Sequence, residues 1–231
     1  MGTYLVVGGS SGIGLQVTQQ LAAAGHTIYA TFNTHPIEDT KNIQYHHLNV
    51  LEENINVDFL PSSLEGLVYC PGAISLRPFN RIPSEDFLKD YNLQVVGAIK
   101  IIQAVLPKLK ESKNASIVLF STVAVQLGLN FHSLVASSKG AIEGLTKALS
   151  AEFAPTIRVN CIAPSLTDTP LAANLLNSDQ KVEANAQRHP LKRVGTTLDI
   201  ANAVEFLLTD KSSWVTGQIL HIDGGMSAVK L

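Results

Sequence analysis

The sequence is poor in cysteine, with two among 231 residues, Cys70 and Cys161, both in apolar surroundings and at no metal-ligand spacing. That excludes a disulfide framework and argues against a zinc site, so buried thiols and no metal are expected. Charge is scarce as well, at 16% of residues with a formal net charge of −2, and no basic run or cluster of surface aromatics is there to track phosphates. A nucleic acid partner is therefore not expected. No stretch reaches the roughly 18 to 20 apolar residues of a membrane span, and the opening "MGTYLVVGGSSGIG" has no basic leader before its apolar run. A cytoplasmic protein without membrane association is the expectation. Internal repeats, low-complexity tracts and linkers are missing too, and the length suits one core, so one domain over 1–231 is expected.

What is present is alternation. Short apolar runs rich in branched residues lie at 3–7, 26–31, 43–48, 65–70, 115–120, 157–162 and 217–222, and segments of helical period separate most of them. This is the pattern of βαβ units, an α/β fold with about seven parallel strands and helices on both faces. Between Gly12 and Ala24 the residues Ile13, Val17, Leu21 and Ala24 keep helical spacing, and Gly25 ends the segment as a left-handed cap would. Longer helices are predicted at about 84–106, 133–152 and 197–208, the last with Asp199 near its start. The stretch from Asn49 to Glu65 holds Pro61 and is too short for a full crossover helix.

"VVGGSSGIG" follows the first strand directly and opens the first helix. Gly8, Gly12 and Gly14 fall where a tight turn must bring backbone close to a ligand and let helix pack on sheet. The N–H groups at a helix start favour a pyrophosphate, which points to a dinucleotide. The second strand ends "IYATFNTHP", without the acid that would grip a ribose diol and repel a 2′-phosphate. Asn33, Thr34 and His35, with Ser10 and Ser11 of the turn, offer donors for a phosphate, although no arginine is present to clamp it. The balance favours NADP over NAD. Alternatively, Asn33 to Pro36 simply forms a turn.

With that turn, the "SSKGA" lysine Lys139 and the C-terminal "VTGQILHIDGG", the chain resembles the short-chain dehydrogenase/reductase family over nearly its whole length. The resemblance implies a single Rossmann-type doubly wound sheet and nicotinamide chemistry. "GGSSGIG" is similar to the cofactor turn of the family and extends its contacts to Ile13. "NV" at Asn49 and Val50 is similar to the Asp-Val that touches adenine, and "YCPG" with Cys70, Pro71 and Gly72 resembles the Asn-Asn-Ala-Gly segment. Asn92 matches the asparagine that supports the lysine through a water chain. "RVNCIAPSLTDTP" resembles the loop along the nicotinamide, which assigns cofactor contacts to Pro164, Leu166, Thr167 and Thr169. Ser165 stands there where the family has glycine.

The family chemistry uses a tyrosine four residues before the lysine as proton donor, one turn away on the same helix face. Here that position is Val135, which has no proton to give. Thirteen residues earlier, Thr122 matches the serine that binds the substrate oxygen, and its hydroxyl can still donate. His132, seven before Lys139 and so close to two turns away, is the candidate replacement acid. It could equally cap the helix, and Lys139 could form a surface pair with Glu143. Residues 166–193 match a substrate lid, where Leu171, Leu175 and Leu176 with Leu127 and Phe131 would suit a hydrophobic small molecule, or would merely pack the lid on the core. The resemblance also implies a homodimer or homotetramer. The leading expectation is an NADP(H)-dependent oxidoreductase with Lys139, Thr122, Asn92 and His132 in its site. The alternative is a dinucleotide-binding sensor or partner subunit that has lost turnover.

Overall fold

The structure, a computed structural model, describes residues 1–230. Seven parallel strands form one sheet: β1 Thr3–Val7, β2 Thr27–Phe32, β3 Ile43–His47, β4 Gly66–Tyr69, β5 Ala115–Phe120, β6 Ile157–Pro164 and β7 Ile219–Ile222. They lie in the order β3-β2-β1-β4-β5-β6-β7. The helices are α1 Gly12–Ala23, α2 Ser84–Tyr91, α3 Gly97–Lys110, α4 Ala124–Leu127, α5 Ser133–Phe153, α6 Asp179–Ala186 and α7 Thr197–Leu208. Among the described residues, no helix is long and apolar enough to cross a membrane.

Successive strand residues point to opposite faces, so each strand feeds two cores. Leu5, Leu67 and Ile117 join Ile101 and Val105 of α3 and Ile142 of α5 in one buried layer. Their chain neighbours Val6, Val68 and Val118 join Val17 and Leu21 of α1 with Val204 and Leu207 of α7 in the other. Strands buried on both sides account for the nearly unbroken apolar runs in the sequence. The strand order reverses between β1 and β4, which opens a crevice at the carboxyl ends of the strands, where sheets of this kind bind ligands.

The region read as one helix at 84–106 is two helices joined by a π-helical turn over Asn92–Val96, and the second runs through Pro107 to Lys110. Between β3 and β4 there is no crossover helix, as the broken sequence there predicts. Residues 170–186 carry a 3-10 turn, Pro170–Leu175, and then α6.

At the start of α7, Thr196 and Asp199 cap each other: Asp199 N–H donates to Thr196 Oγ1 (3.2 Å) and Thr196 N–H to Asp199 Oδ2 (2.7 Å). Arg193 also donates to both Asp199 oxygens, at 2.6 and 2.7 Å. The guanidinium, with help from Thr196, holds the Asp199 carboxyl well below the usual carboxylate range. A depressed folded-state pKa gives stability that is present above the unfolded value of about 4 and is lost as pH falls further. Asp199→Asn is expected to cost about 1 kcal/mol at pH 7. In urea titrations the gap to the parent should narrow below about pH 4; a gap that stays constant down to the acid limit would contradict the ionic part.

Candidate active site

The first turn after β1 is shaped by glycine. Gly8 (φ +74°) and Gly12 (φ +52°) adopt left-handed backbone, which other residues reach only with strain. A methyl at Gly8 would stand 3.3 Å from the Pro71 ring, and one at Gly12 would stand 3.6 Å from Thr169. The turn thus faces the segments after β4 and after β6 at close range, and the three together wall the crevice. At the N-terminus of α1, Ser11 has extended backbone and its side chain caps nothing, and the first turn holds no acid. These uncapped amides and their positive helix end fit a pyrophosphate.

Next to the crevice lies a cavity of about 260 Å³. Of the residues expected from sequence, Ile13, Cys70, Gly72, Thr122, His132, Lys139, Pro164, Leu166, Thr167 and Thr169 line it. Gly8, Ser10, Ser11, Gly12, Gly14 and Pro71 belong to the glycine turn and its facing loop instead. Asn33 is exposed after β2, and Asn49 accepts from the Leu51 N–H (3.1 Å). Val50 is buried, 3.1 Å from where a side chain on Gly97 would begin.

Lys139 extends from α5 into this cavity. The alternative pair with Glu143 does not form, because Glu143 Oε1 accepts from Ser121 Oγ at 2.6 Å. Among the described residues, the Lys139 ammonium has no salt-bridge partner. Burial lowers its pKa to about 8, against the opposing pull of the neighbouring acids Cys161, Asp90 and Cys70. At that value the group is mostly charged at pH 7. Burial also pushes the Cys70 and Cys161 thiols up to about 12, which leaves both unreactive.

One expected partner is misplaced. Asn92 is exposed at the start of the π-helical turn and does not reach the cavity. Gln94, two residues on, is fully buried there, and its Oε1 lies 3.3 Å from the Cβ position of Gly72, a point only 3.7 Å from Lys139 Nζ. Gln94 Nε2 donates to Asp90 Oδ2 (2.7 Å), which also accepts from Ser138 Oγ (2.6 Å). Among the described residues Gln94 Oε1 has no partner, and like Lys139 it is open to a ligand or water. A signal for this was in the sequence. Ala98, in the buried stripe of α3 with Ile101 and Val105, followed back four residues at a time arrives at Gln94 and Asp90 and not at Asn92.

The remaining expected groups surround the space before Lys139. Val135 is buried on the cavity wall one turn before it. Thr122 Oγ1 accepts only from the Ala124 N–H (3.3 Å), which leaves its own proton to donate. His132 precedes α5 and turns Nδ1 to the Asn130 carbonyl (2.7 Å). Leu171 and Leu175 line the cavity, whereas Leu127 and Phe131 are exposed and Leu176 lies off its wall.

A family model described as enoyl-(acyl carrier protein) reductase matches residues 7–227. A tropinone reductase homolog of Arabidopsis thaliana is 30% identical over 97% of this chain and 92% of its own length. The chain belongs to the short-chain dehydrogenase/reductase family. L-xylulose reductase of Bos taurus is 29% identical over 97% of this chain and 96% of its own. Among solved structures, ligand-free aldohexose dehydrogenase of Thermoplasma acidophilum superposes with a TM-score of 0.92 at 25% identity, covering 99% of this chain and 95% of the other. ElxO with NADP bound gives 0.88 at 25% identity, covering 99% and 100%. Membership makes the chain part of a family of oxidoreductases that bind nicotinamide dinucleotides and act on small molecules, often as oligomers.

Within this family member, a further polar pair escaped the sequence reading. Ser165, at the end of β6, places Oγ 2.8 Å from His189 Nε2, and His189 Nδ1 lies 2.8 Å from the Asn185 carbonyl oxygen. His189 is buried at 3% exposure, and all three residues line the cavity. Twenty-four residues separate Ser165 from His189, so no motif spacing announces the contact.

Proposed function

We propose that this protein is an NADP(H)-dependent oxidoreductase. It transfers hydride between nicotinamide and a small, mostly hydrophobic carbonyl or alcohol, or an activated alkene. The observation that carries this reading is Lys139: a charged group on the cavity wall with no salt-bridge partner among the described residues is costly to keep unless a ligand uses it. Lys139 hydrogen-bonds the nicotinamide ribose, and Gln94 stands beside it. The glycine turn from Gly8 to Gly14 holds the pyrophosphate, and Thr167 and Thr169 serve the carboxamide end. Bound there, the nicotinamide supplies or accepts the hydride.

NADP is preferred over NAD because the exposed residues directly after β2, Asn33, Thr34 and His35, include no acid. The NADP held by the similar ElxO agrees with this. Thr122 donates to the substrate oxygen, and the proton comes from a group other than tyrosine, for which His132 and a water are the candidates from sequence. Residues 166–193 form the substrate lid, with Leu171 and Leu175 against the ligand. The protein works as a homodimer or homotetramer.

The test is NADPH oxidation, followed by absorbance, against a panel of apolar aldehydes and ketones. NADPH at 100 times its Kd should add about 2.7 kcal/mol to stability, read as a rise in Tm. NADPH consumption with at least one carbonyl is the expected outcome. The buried Val135 favours a second reading, a sensor or partner subunit that binds dinucleotide without turnover. Binding without turnover in the parent, with activity gained in Val135→Tyr, would select that reading.

A further inference from the structure

The Asn185 carbonyl can only accept, so the 2.8 Å contact requires His189 to carry its proton on Nδ1. In the neutral ring Nε2 is then an acceptor, and the Ser165 hydroxyl donates to it at 2.8 Å. A second acceptor, Met226 Sδ at 3.3 Å, is the weaker one. The fold holds this arrangement firmly. Asn185 lies in the last turn of α6, its carbonyl accepts from the Arg188 N–H (3.2 Å) as well as from the ring, and His189 follows it by four residues.

Ser165 shares the cavity with Thr122. Ser121 N–H donates to the Ile162 carbonyl (2.8 Å) and Val123 N–H to the Pro164 carbonyl (3.1 Å), so the ladder continues past the end of β5 and sets Thr122 opposite Pro164, the residue before Ser165. Thr122 and Ser165 therefore follow the ends of neighbouring strands at the carboxyl edge of the sheet. Both line the one cavity.

We infer that Ser165 and His189 are the proton relay of this site, acting on a substrate oxygen held by Thr122. This rests on the oxidoreductase reading and moves the proton from His132 to the β6 side of the cavity. In reduction, hydride transfer from NADPH to the carbonyl carbon breaks the carbon–oxygen π bond and leaves an alkoxide. The Ser165 Oγ–H bond breaks as its proton passes to the alkoxide oxygen. The Nε2–H bond of a protonated His189 breaks in turn and restores the serine hydroxyl. The ring is left neutral with its proton on Nδ1, the form that Asn185 stabilises, and a proton from solvent resets it. Alcohol oxidation runs the same transfers backwards, with NADP⁺ taking the hydride. The nucleophile-like contact between Ser165 and His189, with a third group fixing the ring, is the geometry that activates a hydroxyl for proton transfer.

The test uses the full chain, NADPH and the carbonyl that the parent reduces best. Ser165→Ala and His189→Gln should each lower kcat about 100-fold. The KM for the carbonyl should stay within about threefold and the NADPH-induced rise in Tm should be unchanged. Ser165→Thr, which keeps a hydroxyl, should retain kcat to within about tenfold. Independently of turnover, two-bond ¹⁵N–¹H spectra of the free protein should show His189 as the Nδ1–H tautomer. An Nε2–H tautomer, or turnover kept in Ser165→Ala but lost in His132→Ala, overturns the relay alone. A parent that binds NADPH and reduces nothing removes the oxidoreductase reading and the relay with it.

Discussion

Lys139→Met is expected to raise the melting temperature of the free protein while weakening NADPH binding about 10- to 150-fold. The second figure follows from losing hydrogen bonds to a charged donor, worth about 1.5–3 kcal/mol. The first follows from burial. The folded protein holds Lys139 at a pKa of about 8, below the ordinary 10.5, so its charged form is disfavoured by the fold. Below pH 8 the ammonium is charged in both folded and unfolded chains and the penalty is present in full. Between pH 8 and 10.5 the folded chain releases the proton first, and stability rises with pH until the penalty is gone. Methionine, of similar length and no charge, removes it. After discounting for partial exposure, the gain is of order 2 kcal/mol at neutral pH. Asp90 is not left bare by the change, since Gln94 and Ser138 keep their bonds to it. Denaturant titrations at pH 7 and pH 10 check the sign: the variant's advantage should shrink at the higher pH. A variant less stable than the parent at both would mean that Lys139 supports the fold instead of waiting for a ligand.

How much of this could be read from the chain depends on the range of the interaction. Strands such as "ASIVLF" and helices such as Ser133–Phe153 announce themselves because burial on two faces, or on one helical stripe, repeats every few residues. The glycine turn was legible for the same reason, since its strand, turn and helix are contiguous. Asn92 was misplaced because a family pattern carries no information on which way a helix is turned. The phase of Ala98, Ile101 and Val105 does carry it and points to Gln94. Glu143 was a plausible partner for Lys139 at one helical turn. That it turns to Ser121 depends on how α5 lies against β5, which no local spacing encodes. Ser165 and His189 meet only because the end of β6 and the segment after α6 fold over the same cavity. In sequence, Ser165 was no more than a glycine replaced.

The glycine turn itself supplies the largest effect on stability. Gly14 lies in the first turn of α1, at a backbone conformation open to any residue, and intrinsic helix preference would favour alanine there by about 1 kcal/mol. The contact says otherwise. A methyl on Gly14 would fall well inside contact distance of the Gly8 carbonyl oxygen, and the next nearest atoms are also backbone. No side chain can swing aside, so either the helix lifts from the turn or the turn opens. Gly14→Ala is therefore expected to lose about 3 kcal/mol or more, near the upper end of the cost of overpacking. In a chain of this size that lowers Tm by about 6–12 °C. Because Gly8 faces Pro71 and Gly12 faces Thr169, opening the turn also deforms the crevice, and NADPH should no longer raise Tm in the variant. Gly25→Ala is the comparison, since Gly25 ends the same helix at φ +88° with open space around it. Its cost should be only the strain of the left-handed backbone, about 1 kcal/mol, with the NADPH response intact. Equal losses in both variants, or an NADPH response kept in Gly14→Ala, would mean that the close approach of α1 to the Gly8 carbonyl does not shape the dinucleotide site.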